Sequence, residues 1–229
     1  HPTENSYNLI PMLFGTLLVT SGAVALATPL GLLLAIFCQF YASPMVGTLY
    51  RKCIELLAGI PSVVYGLWGL VVLVPLIARI QPPGPSLVAG IIVLTIMILP
   101  TVTLVSESAL RHVPKEIIQS ATALGLKRWS MIRYIIVPTA WSGILTGVML
   151  QTSRAIGETM AIVMVCGNVV QTPSSLFDPI RTLTANIALE MAYATDAHRA
   201  SLFLTALLLL LMVVSLIITA QRFRPQGYE

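Results

Sequence analysis

The chain has 229 residues, of which 56% are apolar and only 10% are charged. Soluble domains carry about 25% charged residues, so this composition excludes an ordinary soluble protein. It indicates an all-α membrane protein, because helices satisfy their own backbone hydrogen bonds in lipid. The net charge of +4 comes from loops and reports orientation in the membrane, so we expect no nucleic-acid partner.

Five apolar segments are long enough to cross a bilayer, which takes about 20 helical residues. The first contains Pro29, which favours a kink or a tilted, over-long helix. The predicted spans cover about 9–41, 54–78, 86–106, 139–168 and 200–221. We expect them to form one transmembrane domain over residues 1–229.

Lysine and arginine are concentrated in the loops on one side of these spans. That side carries Arg51, Lys52, Arg111, Lys115, Lys127, Arg128, Arg133, Arg222 and Arg224. The opposite side carries only Arg79, Arg181 and Arg199. Since basic loops face the cytoplasm, the C-terminus is expected inside and the N-terminus outside. A chain that starts outside at His1 without a signal peptide predicts a sixth, N-terminal span that this sequence lacks.

An amphipathic helix is predicted on the cytoplasmic side, at about 114–125. Pro114 suits its first position and Gly125 the left-handed residue after its end. Its apolar residues recur at helical spacing: Val113, Ile117, Ile118, Ala121 and Leu124. A helix lying on anionic lipid has the same pattern, so the pattern alone leaves a partner-binding and a membrane-surface role open.

A polar stripe marks the fourth predicted span. At helical steps, one face carries Gly143, Gly147, Gln151, Arg154, Glu158, Ala161, Val165 and Asn168. The two glycines permit the close approach of another helix. Arg154 and Glu158 share a face near the middle of the span, where a charge costs roughly 2.5–3.5 kcal/mol.

Two interpretations of Arg154 and Glu158 remain. A guanidinium matches phosphate-like oxygens, which predicts an anion pathway or gate. The alternative is an ion pair that only stabilises the bundle, although arginine before glutamate is the less favourable order at this spacing.

The outer loop, about 169–199, contains a second predicted helix over 178–193. It could be a plug, a lid or a surface that receives another protein, and the pattern does not decide. The sequence contains no nucleotide-binding motif, no nucleophile–base set and no metal signature, so no catalytic residue, metal or cofactor is predicted. Any uphill transport would draw energy from a partner or an ion gradient.

The cytoplasmic segment resembles a known family. Its residues Gln119-Ser120-Ala121, Gly125, Ile135, Val137 and Pro138 are similar to the EAA-x3-G-x9-I-x-L-P pattern of ABC importer permeases. In that family the pattern marks the coupling helix that docks into the ATPase subunit. Gln119 and Val137 replace the usual glutamate and leucine. The resemblance implies ATPase coupling through Lys115, Glu116, Gln119, Ser120, Ala121 and Gly125.

Three further segments resemble PstC-type permease subunits of phosphate ABC importers. They are residues 54–69, the RAIGETMA run at 154–161 ending in Gly167-Asn168, and the TLTANIALE run at 182–190. The resemblance implies a type I ABC importer permease (MetI-like) bundle that moves inorganic phosphate inward and is not itself an enzyme. It assigns the substrate pathway or gate to Arg154 and Glu158, to which the polar stripe adds Gln151 and Asn168.

The same resemblance implies partners and a location. The partners would be a PstA-like permease, PstB-like ATPase subunits and an external PstS-like phosphate-binding protein. The chain would cross a bacterial or archaeal cytoplasmic (inner) membrane several times. Alternatives are an ABC permease for molybdate, sulfate or phosphonate, and an autonomous channel or ion-coupled carrier.

Overall fold

The computed structural model describes residues 9–222, which are helical apart from loops and one isolated bridge between Gly167 and Ile180. The first half contains α1 (Ile10–Ile36), α2 (Pro44–Ala58), α3 (Ser62–Trp68), α4 (Val74–Ala78) and α5 (Leu87–Arg111). The second half contains α6 (Lys115–Ala123), α7 (Arg128–Met131), α8 (Val137–Ile156), α9 (Met160–Val165), α10 (Leu183–Glu190) and α11 (Asp196–Arg222). Short π-helical segments at Phe37–Tyr41, Gly69–Leu73 and Ile132–Ile136 continue α1, join α3 to α4, and join α7 to α8.

Within residues 9–222, four helical stretches are long and apolar enough to cross a membrane. They are Ile10–Tyr41, Leu87–Arg111, Arg128–Ile156 and Ala197–Arg222. A fifth span results if α2 and the stretch Ser62–Ala78, bent by 89°, are counted together. The predicted all-α membrane bundle is therefore confirmed.

The centre of the bundle is α5, whose apolar stretch is the most deeply buried of the four. It packs along α1 and also contacts α2 and α8. Small residues permit this close approach: a Cβ on Gly31 of α1 would lie 2.8 Å from Val102 Cγ1. Neighbouring helices pack on several sides of α5, so their positions depend on their contacts with it.

The second predicted span, 54–78, is wrong as a single helix. Helix α2 ends at Ala58, and α3 begins only after Pro61. Proline lacks an N–H and disfavours the helical conformation for the residue before it, here Ile60. The Tyr65 hydroxyl donates a 2.8 Å hydrogen bond to the Leu57 carbonyl across this break. An uninterrupted apolar run therefore conceals a sharp bend.

The fourth predicted span, 139–168, is also wrong in its bounds. The helix begins at Arg128, runs through α7 and α8, and ends at Ile156. Gly157 caps it, and α9 starts a new direction at Met160. The charges of Arg128 and Arg133 ended the apolar run in the sequence, whereas long basic side chains at a helix end can extend to the water interface.

The outer segment, which is the predicted outer loop at about 169–199, packs against the bundle. Two amides of the first turn of α5, Leu87 and Val88, donate to the carbonyls of Asp178 (2.9 Å) and Leu176 (2.8 Å). The predicted helix over 178–193 shortens to α10, because residues before Leu183 make these contacts instead. The first turn of α10 is buried. Arg224 and the C-terminus lie outside the described residues.

Candidate functional site

The position of Arg154 follows from the packing of α8 against α5. Three pairs of residues meet along the two antiparallel helices: Gly143 with Ala109, Gly147 with Val105, and Gln151 with Thr101. Each step of four residues along α8 corresponds to four residues back along α5. Arg154, about one turn beyond Gln151, therefore lies level with the middle of α5. The glycine pair serves this close packing, as predicted.

Arg154 lies in the last turn of α8 and is exposed at the surface of the chain. Among the described residues it has no ion-pair or hydrogen-bond partner. Its charge acts electrostatically on the Tyr65 hydroxyl of α3. A permanently charged guanidinium thus lies at mid-bundle depth with its donors unused by residues 9–222.

Glu158 does not share a helical face with Arg154. It lies in the break after α8, where its amide donates to the Ala155 carbonyl at 3.2 Å. Its Oε1 accepts a 3.2 Å hydrogen bond from the Ala161 amide, which caps the first turn of α9. The predicted helical spacing fails because the helix ends at Ile156, and no Arg154–Glu158 ion pair is present in the described chain.

Gln151 is held against the central helix. The Thr101 hydroxyl of α5 donates a 2.9 Å hydrogen bond to Gln151 Oε1. The side chain of Gln151 is half-buried, one turn from Arg154. Its amide nitrogen has no partner among residues 9–222 and remains a donor next to the guanidinium.

Asn168 lies beyond α9 in the outer loop, away from the helix that carries Arg154. Its φ of 56° is in the left-handed region, which asparagine tolerates better than most residues. Its Nδ2 donates to the Val163 carbonyl at 2.7 Å, and its own carbonyl accepts from Arg181 Nε at 2.9 Å. These contacts hold the turn after α9, so the structure does not bring Asn168 into one helical stripe with Arg154.

Sequence reasoning assigned no site role to the residues that support the break. The Thr184 hydroxyl of α10 donates a 2.9 Å hydrogen bond to the Glu158 carbonyl. The Leu183 amide donates to the Thr16 hydroxyl of α1 at 3.0 Å. The available signal was the polar residue at every second position, namely Thr182, Thr184 and Asn186. A helix that only packs through apolar contacts would not require them.

A second missed feature is a buried acid near the other end of α5. Glu107 is only 2% exposed, and its Oε1 lies 2.8 Å from Arg111 Nη2 and 3.1 Å from Arg51 Nη2. No local pattern links Arg51 to Glu107, because they lie on different helices. Among the described residues, no group of three or more His, Cys, Asp or Glu side chains is placed to hold a metal.

The predicted coupling residues lie on or just after α6. Pro114 precedes the first helical residue rather than occupying it. Gly125 has a φ of +73°, and the amides of Gly125 and Leu126 close the helix onto the carbonyls of Thr122 (3.0 Å) and Ala121 (3.3 Å). This is the predicted left-handed cap.

The outer surface of α6 is open. Ala121 is 2% exposed and anchors the helix, whereas Leu124 is 80% exposed. The remaining assigned residues, Lys115, Glu116, Gln119 and Ser120, are all exposed. The helix therefore presents a mixed polar and apolar face that no described residue of this chain covers.

The chain is similar in sequence to membrane proteins of known transport systems. A family model described as a binding-protein-dependent transport system inner membrane component matches residues 27–226. The "Probable ABC transporter permease protein YqgH" of Bacillus subtilis is 42% identical over 219 residues, covering 94% of this chain and 71% of that protein. The phosphate transport system permease protein PstC of Xylella fastidiosa (strain Temecula1) is 33% identical over 242 residues, covering 96% and 75%.

A solved structure shares the fold. A chain of the MetNI methionine ABC transporter, in an inward-facing conformation, superposes with a TM-score of 0.74 over 93% of both chains. Its sequence identity to this chain is only 18%. The likeness therefore concerns the helical architecture alone.

Proposed function

The chain belongs to the family of binding-protein-dependent transport system inner membrane components, and from that premise we propose that it is the permease subunit of an importer that moves inorganic phosphate into the cytoplasm. The phosphate transport permeases among its relatives support this substrate. The chain contains no nucleotide-binding motif, so ATP is hydrolysed by a separate ATPase subunit.

The observation that carries the proposal is the exposed guanidinium of Arg154 at mid-bundle depth, which pairs with none of residues 9–222. Exposure of this charge to lipid costs roughly 2.5–3.5 kcal/mol, so the surface around it faces another protein chain or a water-filled path. A partner permease similar to this one would supply the second wall. Phosphate crossing between the two walls then meets a fork of donors matched to its oxygens.

Glu158 acts on this site through the backbone. Its carboxylate holds the first turn of α9, and its carbonyl is held by Thr184 of α10. Glu158 therefore fixes the break at which α8 ends and leaves Arg154 free for the anion. Gln151, anchored to Thr101, offers its amide nitrogen to the same anion.

The transport cycle begins when an external phosphate-binding protein docks on the outer segment and releases phosphate toward Arg154. ATP binding closes the ATPase subunits, and the motion enters this chain through α6. The exposed Leu124 and the polar residues Gln119 and Ser120 form the docking face, while Ala121 transmits the motion to the bundle. The cytoplasmic location of α6 and of the C-terminus rests on the distribution of basic residues.

The experiment that tests the proposal measures radiolabelled phosphate uptake in cells without their own importer. These cells express the full-length protein with its neighbouring transporter genes, as wild type or as Arg154→Ala. Molybdate and sulfate serve as competitors. We expect uptake that requires Arg154 and resists both competitors.

Two results would contradict the proposal. Equal uptake by Arg154→Ala would remove Arg154 from the pathway. Ready displacement of phosphate by molybdate or sulfate would leave the permease family in place but assign the chain to another oxyanion.

A further inference from the structure

The cluster of Arg51, Glu107 and Arg111 joins α2 to α5 at the end of the bundle opposite the outer segment. Glu107 is buried, whereas the side chains of Arg51 and Arg111 remain 34% and 46% exposed. Both guanidiniums contact the Glu107 carboxylate, and the exposed Glu55 carboxylate lies 3.8 Å from Arg51 Nε. The exposed parts of the two guanidiniums remain available for another anion.

Both arginines line a cavity of about 430 Å³ between the end of α1 and the first turns of α2. Its polar lining consists of Gln39, Ser43, Thr48, Arg51 and Arg111. None of the lining residues, all within the described part of the chain, is acidic. Glu107 lies behind the guanidiniums and not in the wall. The volume lies within the range of small-ligand sites in proteins.

The other groups around the cavity also favour an anion. The Gln39 Oε1 accepts a 3.0 Å hydrogen bond from Arg111 Nε, which orients the guanidinium. Ser43 caps α2, so the positive end of that helix dipole faces the cavity. Arg128 adds a third cation nearby, where its Nη1 donates to the Phe40 carbonyl at 2.9 Å.

We propose that this cavity binds a phosphate-group anion at the cytoplasmic mouth of the protein, in contact with Arg51 and Arg111. The site is separate from Arg154, because Glu107 lies about nine residues beyond the Arg154 level, roughly 14 Å along α5. Its cytoplasmic placement rests on the orientation proposed above, whereas its ligand chemistry does not. The phosphate group belongs either to free phosphate leaving the pathway or to the headgroup of an anionic lipid.

The test measures equilibrium binding of labelled inorganic phosphate to the purified, assembled importer in nanodiscs, without binding protein or nucleotide. One set of nanodiscs contains phosphatidylcholine only, and a second contains phosphatidylglycerol as well. Arg51→Gln and Arg111→Gln remove a charged donor each, and we expect either to weaken binding about tenfold or more. Lys52→Gln, an exposed neighbour outside the cavity wall, is the matched control and should leave this binding unchanged.

Glu107→Gln separates ligand binding from a merely structural role. It removes the carboxylate that competes for both guanidiniums, so the proposal expects tighter phosphate binding. A structural cluster predicts the opposite, a loss similar to that of the arginine variants, and that result would overturn the site. Comparison among variants also separates this site from phosphate bound by the other subunits.

The two nanodisc sets identify the source of the phosphate group. Equal phosphate binding in both sets identifies the free ion as the ligand. Phosphate excluded by phosphatidylglycerol, with lipid retention lost in Arg111→Gln, identifies the headgroup. If neither phosphate binding nor lipid retention depends on Arg51 or Arg111, the proposal is wrong. A failure of phosphate uptake with this binding intact would instead refute the proposed transport function.

Discussion

The Thr184 hydroxyl donates a 2.9 Å hydrogen bond to the backbone carbonyl of Glu158, across 26 residues of sequence. The donor lies in the buried first turn of the outer helix α10, and the acceptor lies in the break between α8 and α9. The outer segment therefore supports the break that ends the Arg154 helix. A substitution in the outer segment can therefore alter the backbone next to the proposed anion site without replacing a charged residue.

Replacement of Thr184 by valine tests this connection. Valine has a similar shape but leaves the partly buried Glu158 carbonyl without its donor, which costs about 1–3 kcal/mol of folding free energy. We expect a lower unfolding temperature for the purified protein and reduced phosphate uptake in cells. Thr184→Ser keeps the hydroxyl and should behave nearly as wild type. An unchanged unfolding temperature in the valine variant would show that the hydrogen bond does not contribute to stability.

Arg154→Lys keeps the charge but loses the planar fork of donors. We expect phosphate uptake to fall about tenfold or more if the fork binds the anion through paired hydrogen bonds. The unfolding temperature should stay unchanged, because the guanidinium has no partner among the described residues. Arg199→Gln, which changes an exposed arginine in the first turn of α11, is the control. Full uptake in Arg154→Lys would indicate that charge alone suffices.

Gly147→Ala should disturb the packing of α8 on α5. The added Cβ would overlap the Val105 side chain, and overpacking of this kind costs about 1–3 kcal/mol. Thermal unfolding in detergent measures the loss. The double variant Gly147→Ala with Val105→Ala makes room for the new methyl group and should recover stability relative to Gly147→Ala alone. If the double variant is no more stable than Gly147→Ala, the loss of stability does not come from the contact with Val105.

Gly125 provides a test of the α6 cap. Its φ of +73° is unfavourable for residues with a Cβ, by roughly 1–2 kcal/mol, although an added Cβ would meet nothing within 4 Å. Proline cannot adopt this φ and also removes the amide that bonds to Thr122. We expect Gly125→Pro to abolish binding-protein-stimulated ATP turnover, Gly125→Ala to reduce it, and Gly125→Asn to retain most of it. Normal turnover in Gly125→Pro would refute the docking role of α6.

Asp178 gives the outer loop a pH dependence. The Ser174 hydroxyl, followed by the Ser174 and Ser175 amides, donates to its carboxylate and lowers its pKa below the ordinary value. A lowered pKa in the folded state stabilises the fold above the ordinary aspartate pKa, about 3.9, and this contribution is lost as the pH falls further. The difference in unfolding temperature between wild type and Asp178→Asn should therefore shrink below that pH. A difference that stays constant with pH would contradict the assignment.

Several local features were predictable because they depend on neighbouring residues only. The left-handed cap at Gly125 follows from a glycine placed after a short amphipathic helix, and the close packing at Gly143 and Gly147 follows from their four-residue spacing. The functional roles of Arg154, Glu158, Gln151 and Asn168 stay predictions, as do the coupling roles of the α6 residues.

The placement of the polar residues was less predictable. Glu158 was predicted to share a face with Arg154 on the assumption that one helix continues through Gly157. In the structure the helix ends at Ile156, and Gly157 caps it. The same assumption placed Asn168 on the helix, although it lies in the outer loop. The hydropathy of a segment indicates whether it transfers into lipid but not the direction of its backbone. The apolar runs therefore did not indicate the breaks at Gly157 and Pro61.

The amino-acid sequence was enough to predict a helical membrane protein, the positions of its apolar segments, and the charge that stands out within them. These properties depend on composition and local spacing. The folded structure was needed to show where the helices break, that Glu158 caps α9 instead of pairing with Arg154, and that Arg51 contacts the buried Glu107. Each of these depends on hydrogen bonds or ion pairs that form after the chain has folded, when desolvated polar groups must find partners wherever the packing brings them.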